Sequence, residues 1–442
     1  MRIGMVSLGC PKNQTDAETM LGILKESGHI IVNDPQDAEV IIVNTCGFID
    51  PAKQESIDAV LEMAEYKKVG RCKLLIMTGC LSERYHDSIK EELPEVDACI
   101  GAGDFYKIAQ VIDDAEKGEY VCLWGNQNDE IPENLPRILA TDKHVAYLKI
   151  ADGCDNNCTY CAIPKIRGHF RSRKMEDILA EAKALAENGV REIIVIAQDT
   201  TRYGKDLYGE YCLDKLLLKL CEIPEFHWIR VHYLYAEAIT DSLISVMAEN
   251  EKICNYFDMP IQHINNDILR RMARRTNRTE IEEKIRKIRE AMPDSVFRTS
   301  IIAGFPGETE EQFLELYEFL KEIRLDRVGV FAYSKEEDTP AADFDGQLPE
   351  EIKEKRRDIL MELQQGISLE KNKEKIGKVI EVLAEGYDED NFMYVGRSRG
   401  DSIGVDSTVY FAAEDEVKIG TFVKVEILDA DEYDLTGKEV EV

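Results

Sequence analysis

Apolar runs alternate with amphipathic stretches through the first part of the chain. Buried strands are predicted at residues 3–8, 40–43 and 74–77. Amphipathic helices are predicted between them, at residues 16–27 and 53–66. Because strands that alternate with helices are typical of a parallel sheet covered by helices, we predict a parallel α/β domain over residues 1–115.

The same alternation repeats six times in the middle of the chain. Strands are predicted at residues 144–150, 192–197, 229–234, 256–261, 296–303 and 328–333. Helices are predicted at residues 175–188, 211–222, 242–250, 278–291 and 309–323, and a longer charged helix at residues 349–375. Repeated strand–helix units favour a partial (β/α)6 barrel of the TIM type over residues 142–372, with its active site at the carboxyl ends of the strands.

The remaining segments differ from both of these domains. Residues 116–141 contain Gly, Pro and several Asn and are predicted to form a linker. Beyond residue 373, short alternating runs are interrupted by Gly, Asp and Asn, which is typical of antiparallel strands. These strands are predicted at residues 379–383, 394–397, 409–411 and 422–428. We therefore predict a small antiparallel β-barrel over residues 373–442.

Charge limits the partners of this chain. Its 442 residues carry a net charge of −31, and the segment from residue 376 onward has six Lys and Arg against seventeen Asp and Glu. Such a surface repels the phosphate backbone of nucleic acids and attracts basic proteins, so nucleic acid is disfavoured as a direct substrate. No apolar run is long enough to cross a membrane, and no signal sequence opens the chain. We therefore expect a cytoplasmic protein with reduced thiols.

Three cysteines stand close together just after the first predicted strand of the barrel: Cys154, Cys158 and Cys161. Disulfides would be common for such spacing in a secreted chain, and a zinc site usually has four ligands. In a reducing compartment, three thiolates at this spacing fit three irons of a [4Fe–4S] cluster. The fourth iron would lack a protein thiolate and would bind a small molecule as a Lewis acid.

A second group of cysteines closely follows the predicted strands of the first domain: Cys10, Cys46 and Cys80. Since the carboxyl ends of parallel strands meet at one edge of a sheet, we expect these thiols to converge there and to hold a second cluster. The alternative is that they are small residues buried in the core. Such a structural role is predicted for the other cysteines: Cys72, Cys99, Cys122, Cys212, Cys221 and Cys254.

The spacing of the second-domain cysteines, the aromatic Tyr160 before the last of them and the six-strand pattern resemble the radical S-adenosylmethionine (SAM) superfamily. The order of three segments further resembles its methylthiotransferase branch, which ends in a TRAM-like β domain. The resemblance implies two [4Fe–4S] clusters, and SAM as both methyl donor and radical source. It also implies a sulfur donor and an external one-electron reductant of the flavodoxin or ferredoxin type.

The run from Leu8 to Asn13 resembles the RimO-type methylthiotransferases, although Gln14 and Thr15 stand where that type usually has Leu and Val. This resemblance implies modification of an aspartate β-carbon in ribosomal protein twelve of the small subunit, a basic protein. The alternative enzyme is a MiaB-type tRNA methylthiotransferase, which acts on an adenosine next to the anticodon. From another class, the chain could be an iron–sulfur electron carrier or an RNA-binding module.

Candidate contacts to SAM lie in the cysteine run, after the predicted strand ends or, for Arg298, within the fifth strand: Tyr160, Gln198, Asp199, Gln262, His263, Arg298 and Gly304. For most of these the alternative is an ordinary loop residue or helix cap, and for Gly304 a plain tight turn. Arg167, Arg171 and Arg173 form either a solvated face or a carboxylate contact. The sequence assigns no catalytic residue.

Overall fold

A six-stranded parallel sheet forms the first domain of the computed structural model, which describes residues 1–118 and 120–441. Its strands are β1 (Arg2–Ser7), β2 (Ile30–Ile31), β3 (Val40–Thr45), β4 (Leu74–Gly79), β5 (Ala98–Gly101) and β6 (Val121–Leu123), in the spatial order β2-β1-β3-β4-β5-β6. The helices of this domain are α1 (Pro11–Glu26), α2 (Asp50–Val69), α3 (Cys80–Tyr85), α4 (Ile89–Glu92) and α5 (Ile108–Ala115). Separate apolar clusters cover the two faces of the sheet, and the predicted parallel α/β fold is confirmed.

Three strands of this sheet were not predicted from the hydrophobic pattern: β2 at one edge, and β5 and β6 at the other. β6 lies within residues 116–141, which were predicted to be a linker. This part of the segment is a strand because its main chain pairs with β5. Cys99 and Cys122 face each other across this pair and form a disulfide, so these two thiols are not reduced as the sequence predicted. The rest of the segment is fixed to the neighbouring domains by Arg137, whose guanidinium pairs with Glu18 at 2.5 Å and with Glu181 at 2.8 Å.

The second domain is the predicted partial barrel. Its strands are β7 (Val145–Lys149), β8 (Ala151–Asp152), β9 (Arg171–Ser172), β10 (Glu192–Ile196), β11 (Trp228–Val231), β12 (Tyr256–Asp258), β13 (Val296–Ala303) and β14 (Arg327–Ala332). β8 and β9 form a short antiparallel ribbon, and the other six form two parallel sheets, β7-β10-β11 and β12-β13-β14. A parallel bridge between Ile229 and Ile253 joins the sheets, so the six strands follow one another in chain order.

α6 (Ile163–Arg167) lies at the interface with the first domain. The other helices cover one face of these six strands: α7 (Met175–Glu187), α8 (Leu213–Cys221), α9 (Asp241–Glu249), α10 (Asn266–Arg271), α11 (Arg278–Ala291), α12 (Glu310–Ile323) and α13 (Glu350–Lys373). The largest apolar core lies between these helices and the strands. Capping boxes begin two of them, Asn277 with Glu280 at α11 and Thr309 with Gln312 at α12. No helix within residues 1–118 and 120–441 has both the length and the apolar character that a membrane span requires.

The third domain is a closed barrel of five strands: β15 (Val379–Asp388), β16 (Met393–Ser398), β17 (Val409–Ala412), β18 (Phe422–Ala430) and β19 (Leu435–Glu439). The predicted small β-barrel is confirmed, with one difference. β17 and β19 pair in parallel, whereas the other neighbours are antiparallel. Alternation predicted four of the strands and missed β19, a polar run that contains a glycine.

The loop between β16 and β17, residues 399–408 and here called the plug loop, covers the face of the six strands that carries no helices. Its polar contacts with the barrel are Arg230 to the Arg399 carbonyl (2.9 Å), Arg327 to Asp401 (2.7 Å), His232 to Ser402 (2.8 Å) and Tyr256 to Asp406 (2.5 Å). Ile403, Leu383 and Phe422 add apolar contacts to the same face. The third domain therefore fills the concave side of the barrel.

A buried carboxylate joins the second and third domains. Glu192, at the start of β10, is fully buried between Arg230 (2.9 Å) and Arg397 (2.7 Å). Removing the carboxylate leaves two buried guanidinium groups without their shared partner, and breaking a buried pair in this way is strongly destabilising.

We expect Glu192→Gln to lower the free energy of unfolding by about 3–5 kcal/mol, measured by urea denaturation followed by circular dichroism. The control is Glu426→Gln, which removes an exposed pair with Lys438 at 3.2 Å and should cost less than about 1 kcal/mol. Equal effects of the two substitutions would show that the buried carboxylate does not hold the domains together.

Candidate cluster sites at the domain interface

The second-domain cysteines lie on the loop between β8 and α6, at the carboxyl end of the barrel. Gly153 starts this loop with a φ of +76°, and a Cβ there would lie 2.0 Å from the His169 carbonyl oxygen. Only glycine combines that conformation with that close approach. Cys154 and Cys158 are buried, and Cys161 is partly buried. The loop therefore turns its thiols away from solvent.

Hydrogen bonds from two side chains fix this loop, one to the end of a strand and one to the end of α10. The Asn156 amide donates to the Asp199 carboxylate at 2.8 Å, and the Thr159 hydroxyl donates to the Arg271 carbonyl at 2.8 Å. The Thr159 main-chain N–H also donates to the Met272 carbonyl at 3.1 Å. The cysteine loop is thus held before any ligand arrives.

The thiols of this loop are in a setting that disfavours thiolates without a cation. Burial raises the pKa of Cys154 to about 11, and burial together with the neighbouring Cys158 raises the pKa of Cys161 as well. Arg274 supplies one positive charge, since its Nη1 lies 3.9 Å from the Cys158 Sγ and donates to it. Iron ions would supply the remaining charge, so the donor set fits an iron–sulfur cluster.

The first-domain cysteines lie together at the carboxyl edge of the parallel sheet. Cys10 precedes α1, Cys46 follows β3 and Cys80 begins α3. Gly9 has a φ of +89°, and a Cβ there would lie 3.2 Å from the Cys46 Sγ. Burial, followed by the nearby Cys80 and Cys10, raises the pKa of Cys46 to about 12. Three mutually interacting thiols in one place again fit a cluster bound through separate irons.

Asn13 connects two of these cysteine loops. Its side-chain amide donates to the Leu8 carbonyl at 2.7 Å and to the Thr45 carbonyl at 3.2 Å. Its own carbonyl accepts from the Asn44 side chain at 2.8 Å. Because Asn13 is almost fully buried, these bonds fix the chain before Cys10 relative to the chain before Cys46.

Arg167, the last residue of α6, links the two cysteine groups across the domain interface. Its guanidinium pairs with Asp16 at 2.5 Å and donates to the Cys80 Sγ at 3.7 Å. Cys80 also packs against Ala162 and Ile166 of the same helix. The helix that follows one cysteine group therefore contacts a cysteine of the other group directly.

The charge at this junction is balanced by two further residues. Lys149 pairs with Asp16 at 2.5 Å and with Asp152 at 3.1 Å. Although burial opposes the charge, Lys149 and Arg167 hold the pKa of Asp152 far below its ordinary value. The buried Asp152 carboxylate therefore remains ionised and paired at neutral pH.

Within residues 1–118 and 120–441, no three His, Cys, Asp or Glu side chains are arranged to share a single metal ion. A cluster differs from a single ion because each thiolate binds its own iron. The role of the six cysteines as cluster ligands remains a prediction.

Several of the residues that were predicted to contact SAM form hydrogen bonds or ion pairs with other residues of the protein. The Gln198 amide donates to Asp152 at 2.8 Å, and Asp199 accepts from Asn156 and Arg202. The Arg298 guanidinium pairs with Asp258 at 2.9 Å. Gln198 and Asp199 lie just after β10, whereas Arg298 lies inside β13. These contacts serve the loop or the strands themselves, and direct contact with SAM stays a prediction.

His263 and Gly304 lie behind the strand ends, around a buried carboxylate. The His263 Nε2 lies 3.3 Å from Glu308, and the Gly304 N–H donates to Glu308 at 3.1 Å. A Cβ at Gly304 would lie 2.4 Å from the Lys353 Cγ, so packing against α13 explains this glycine. The structure gives both residues a local structural partner, and their SAM contacts also stay predictions.

Two other predicted contacts are not tied to a charged partner. Gln262 is partly exposed and has a φ of +68°, while its main chain bridges Ser300 and Ile302. Tyr160 is partly buried beside the apolar cluster that contains Met272. Such positive φ values for residues other than glycine are uncommon and concentrate at functional sites.

Sequence reasoning missed Arg274 and Asp16. Arg274 stands in an arginine-rich run and is buried, whereas its neighbour Arg275 lies at the surface. Asp16 belongs to α1, where no sequence pattern separates it from the exposed charges of other helices. Of the three arginines that follow the cysteine run, Arg173 binds Glu133 of the linker at 2.7 Å, and Arg167 makes the contact between the first two domains.

Three profiles of known families match separate parts of the chain. The Radical SAM superfamily matches residues 148–320, the Uncharacterized protein family UPF0004 matches residues 2–101, and the TRAM domain matches residues 376–440. The three matches follow the three domains in order.

Named relatives match the chain over nearly its whole length. The ribosomal protein uS12 methylthiotransferase RimO of Clostridioides difficile (strain 630) is 52% identical over 437 residues, which cover 99% of this chain and 98% of that protein. The protein of the same name from Thermoanaerobacter sp. (strain X514) is 49% identical over 436 residues, with 99% of each chain covered.

Solved structures share the fold at low sequence identity. The radical SAM methyltransferase TsrM from Kitasatospora setae, with tryptophan and a SAM analogue, has a TM-score of 0.55 at 11% identity over 74% of this chain and 72% of that chain. The cobalamin-dependent SAM radical enzyme OxsB has a TM-score of 0.52 at 13% identity over 82% of this chain and 56% of that chain. These likenesses concern the fold alone.

We expect Arg167→Met to raise amide hydrogen exchange in the loops around Cys10 and Cys80 by at least about tenfold, because a buried ion pair between the domains is lost. Hydrogen exchange followed by mass spectrometry measures this directly. Lys165→Met is the control, since Lys165 lies on the same helix, is 63% exposed and is 3.9 Å from Asp338. Unchanged exchange at both loops in the Arg167 variant would refute the proposed junction.

Proposed function

Because the chain belongs to the RimO family of ribosomal protein uS12 methylthiotransferases, we propose that it attaches a methylthio group to the β-carbon of an aspartate in that ribosomal protein. The observation that carries the proposal is identity of about half over nearly the whole chain with relatives of that name. All three domains are included in those alignments, so the proposal concerns the complete activity and not one module.

The two cysteine groups are the proposed cofactor sites. Cys154, Cys158 and Cys161 would hold the [4Fe–4S] cluster to which SAM binds, and the first-domain cysteines would hold a second cluster: Cys10, Cys46 and Cys80. When bound, the first cluster supplies an electron for the cleavage of SAM and the second supplies the sulfur that is transferred.

The protein's own residues prepare this chemistry in three ways. Asn156 holds the cysteine loop to the end of β10, and Thr159 holds it to the end of α10. Arg274 and Arg167 each donate a guanidinium hydrogen bond to one cysteine sulfur. The plug loop fills the concave face of the barrel, which helps to keep water from a radical formed at the strand ends.

The partner of this reaction is a basic protein. The acidic third domain, with its excess of Asp and Glu, complements such a surface and repels phosphate. The named relatives act on ribosomal protein uS12, so a tRNA substrate of the MiaB type is not favoured. The reaction also needs a sulfur donor and an external one-electron reductant of the flavodoxin or ferredoxin type, and a ribosomal substrate implies a cytoplasmic location.

We expect anaerobically reconstituted protein to bind about eight irons, and a variant that lacks either cysteine group to bind about four. The variants are two triple substitutions to Ala, one of Cys10, Cys46 and Cys80 and the other of Cys154, Cys158 and Cys161. The control replaces three buried cysteines outside both groups with Ala: Cys72, Cys212 and Cys254. Iron analysis that showed full loading without one of the two groups would contradict the assignment of that group.

We expect the doubly loaded protein, with SAM, sulfide and a reductant, to add one methylthio group to a peptide that carries the uS12 aspartate. Mass spectrometry with peptide fragmentation locates the group. Undermodified tRNA in the same mixture is the comparison. Product on tRNA and none on the peptide, with cluster loading verified, would replace the proposed substrate.

A further inference from the structure

Lys12 is a buried lysine whose ammonium lacks an ion-pair partner. Its side chain is 8% exposed, and among residues 1–118 and 120–441 no carboxylate lies within ion-pair distance of it. The Nζ instead lies 3.4 Å from the ring centroid of Tyr233. A buried charge without an opposite charge is costly, so the position calls for an explanation.

Other cations at this interface are paired with carboxylates. Lys149 and Arg167 share Asp16, and Lys53 pairs with Glu336 at 2.9 Å. Lys12 also lies at the interface between the first two domains, but unlike these residues it has no carboxylate partner among the described residues. A cation–π contact with one tyrosine compensates only part of the lost hydration.

A carboxylate close to Lys12 already has its own partners. Asp258, at the end of β12, pairs with Arg298 at 2.9 Å and accepts from the Tyr233 N–H at 3.1 Å. Tyr233 follows β11. Its backbone has a φ of +59°, a conformation that is uncommon for residues other than glycine. The protein therefore keeps a fixed carboxylate beside the site but does not direct it to Lys12.

Lys12 stands between the two cysteine groups. It is two residues after Cys10 of the first domain. Its partner Tyr233 is two residues before Tyr235, whose ring lies 4.5 Å from the guanidinium carbon of Arg274. Arg274 in turn donates to Cys158. A group bound at the Lys12 ammonium would thus lie between the two proposed clusters.

We propose that the Lys12 ammonium binds the side-chain carboxylate of the substrate aspartate and thereby selects aspartate over asparagine. This inference rests on the proposed function. A carboxylate provides the missing opposite charge through a charge-assisted hydrogen bond, which is strong in buried surroundings. The β-carbon is bonded to that carboxylate, so the contact also orients the carbon that reacts. An amide would leave the buried ammonium unpaired.

The test compares the binding of two peptides, with aspartate or asparagine at the modified position, to cluster-loaded protein without reductant. Fluorescence polarisation measures each Kd. We expect the wild type to prefer the aspartate peptide by about 30-fold or more, and Lys12→Met to reduce this ratio to about one. Lys12→Gln repeats the measurement with a polar side chain. Lys25→Met, on the exposed side of the same helix, is the control and should keep the wild-type ratio.

Three results would overturn the proposal: equal binding of both peptides by the wild type, an unchanged ratio in both Lys12 variants, or an equal loss for both peptides. The last result, with an altered electron paramagnetic resonance signal of the first-domain cluster, would make Lys12 a counter-charge for that cluster. Product formation by the wild type is measured separately. It decides the proposed function independently of the binding ratio.

Discussion

The buried ion pair between Arg167 and Asp16 is the contact on which the arrangement of the molecule depends. It joins a helix of the barrel to a helix of the first domain at 2.5 Å, and both residues are almost fully buried. Because the same guanidinium reaches the Cys80 sulfur, the pair fixes where one cysteine group lies relative to the other. A reaction that needs a radical and a sulfur atom at one place requires such a fixed relation.

The two domains bring their cysteines to this junction by the same physical route. In each, parallel strands end at a common edge, and a glycine with positive φ turns the chain there: Gly9 and Gly79 in the first domain and Gly153 in the second. The plug loop occupies the concave face of the barrel, which is the face without helices. The strand ends are thereby left as the site where the two edges meet.

The parts that were predictable from sequence are those set by local periodicity and spacing. α11 was predicted with its observed bounds because its apolar stripe is regular and Asn277 begins it with a capping box. β6 was missed because it has only three residues, and β19 because it is a polar run with a glycine. The pairing of such strands is decided by their neighbours and not by their own residues. The positions of the cysteines in the sequence predicted that each group of three lies together in the fold. They did not predict that Arg274 and Arg167 contact the cysteine sulfurs. Those contacts join residues more than 80 positions apart, and nothing local marks them.

The central claim is that the two cysteine groups hold two clusters that face each other across the domain interface. Electron paramagnetic resonance of the fully loaded, reduced protein tests it most directly, through magnetic coupling between the clusters. The account predicts a coupled spectrum that becomes the spectrum of a single isolated cluster when either cysteine group is replaced by Ala. A spectrum of the loaded wild type equal to the sum of the two single-cluster spectra would contradict the account.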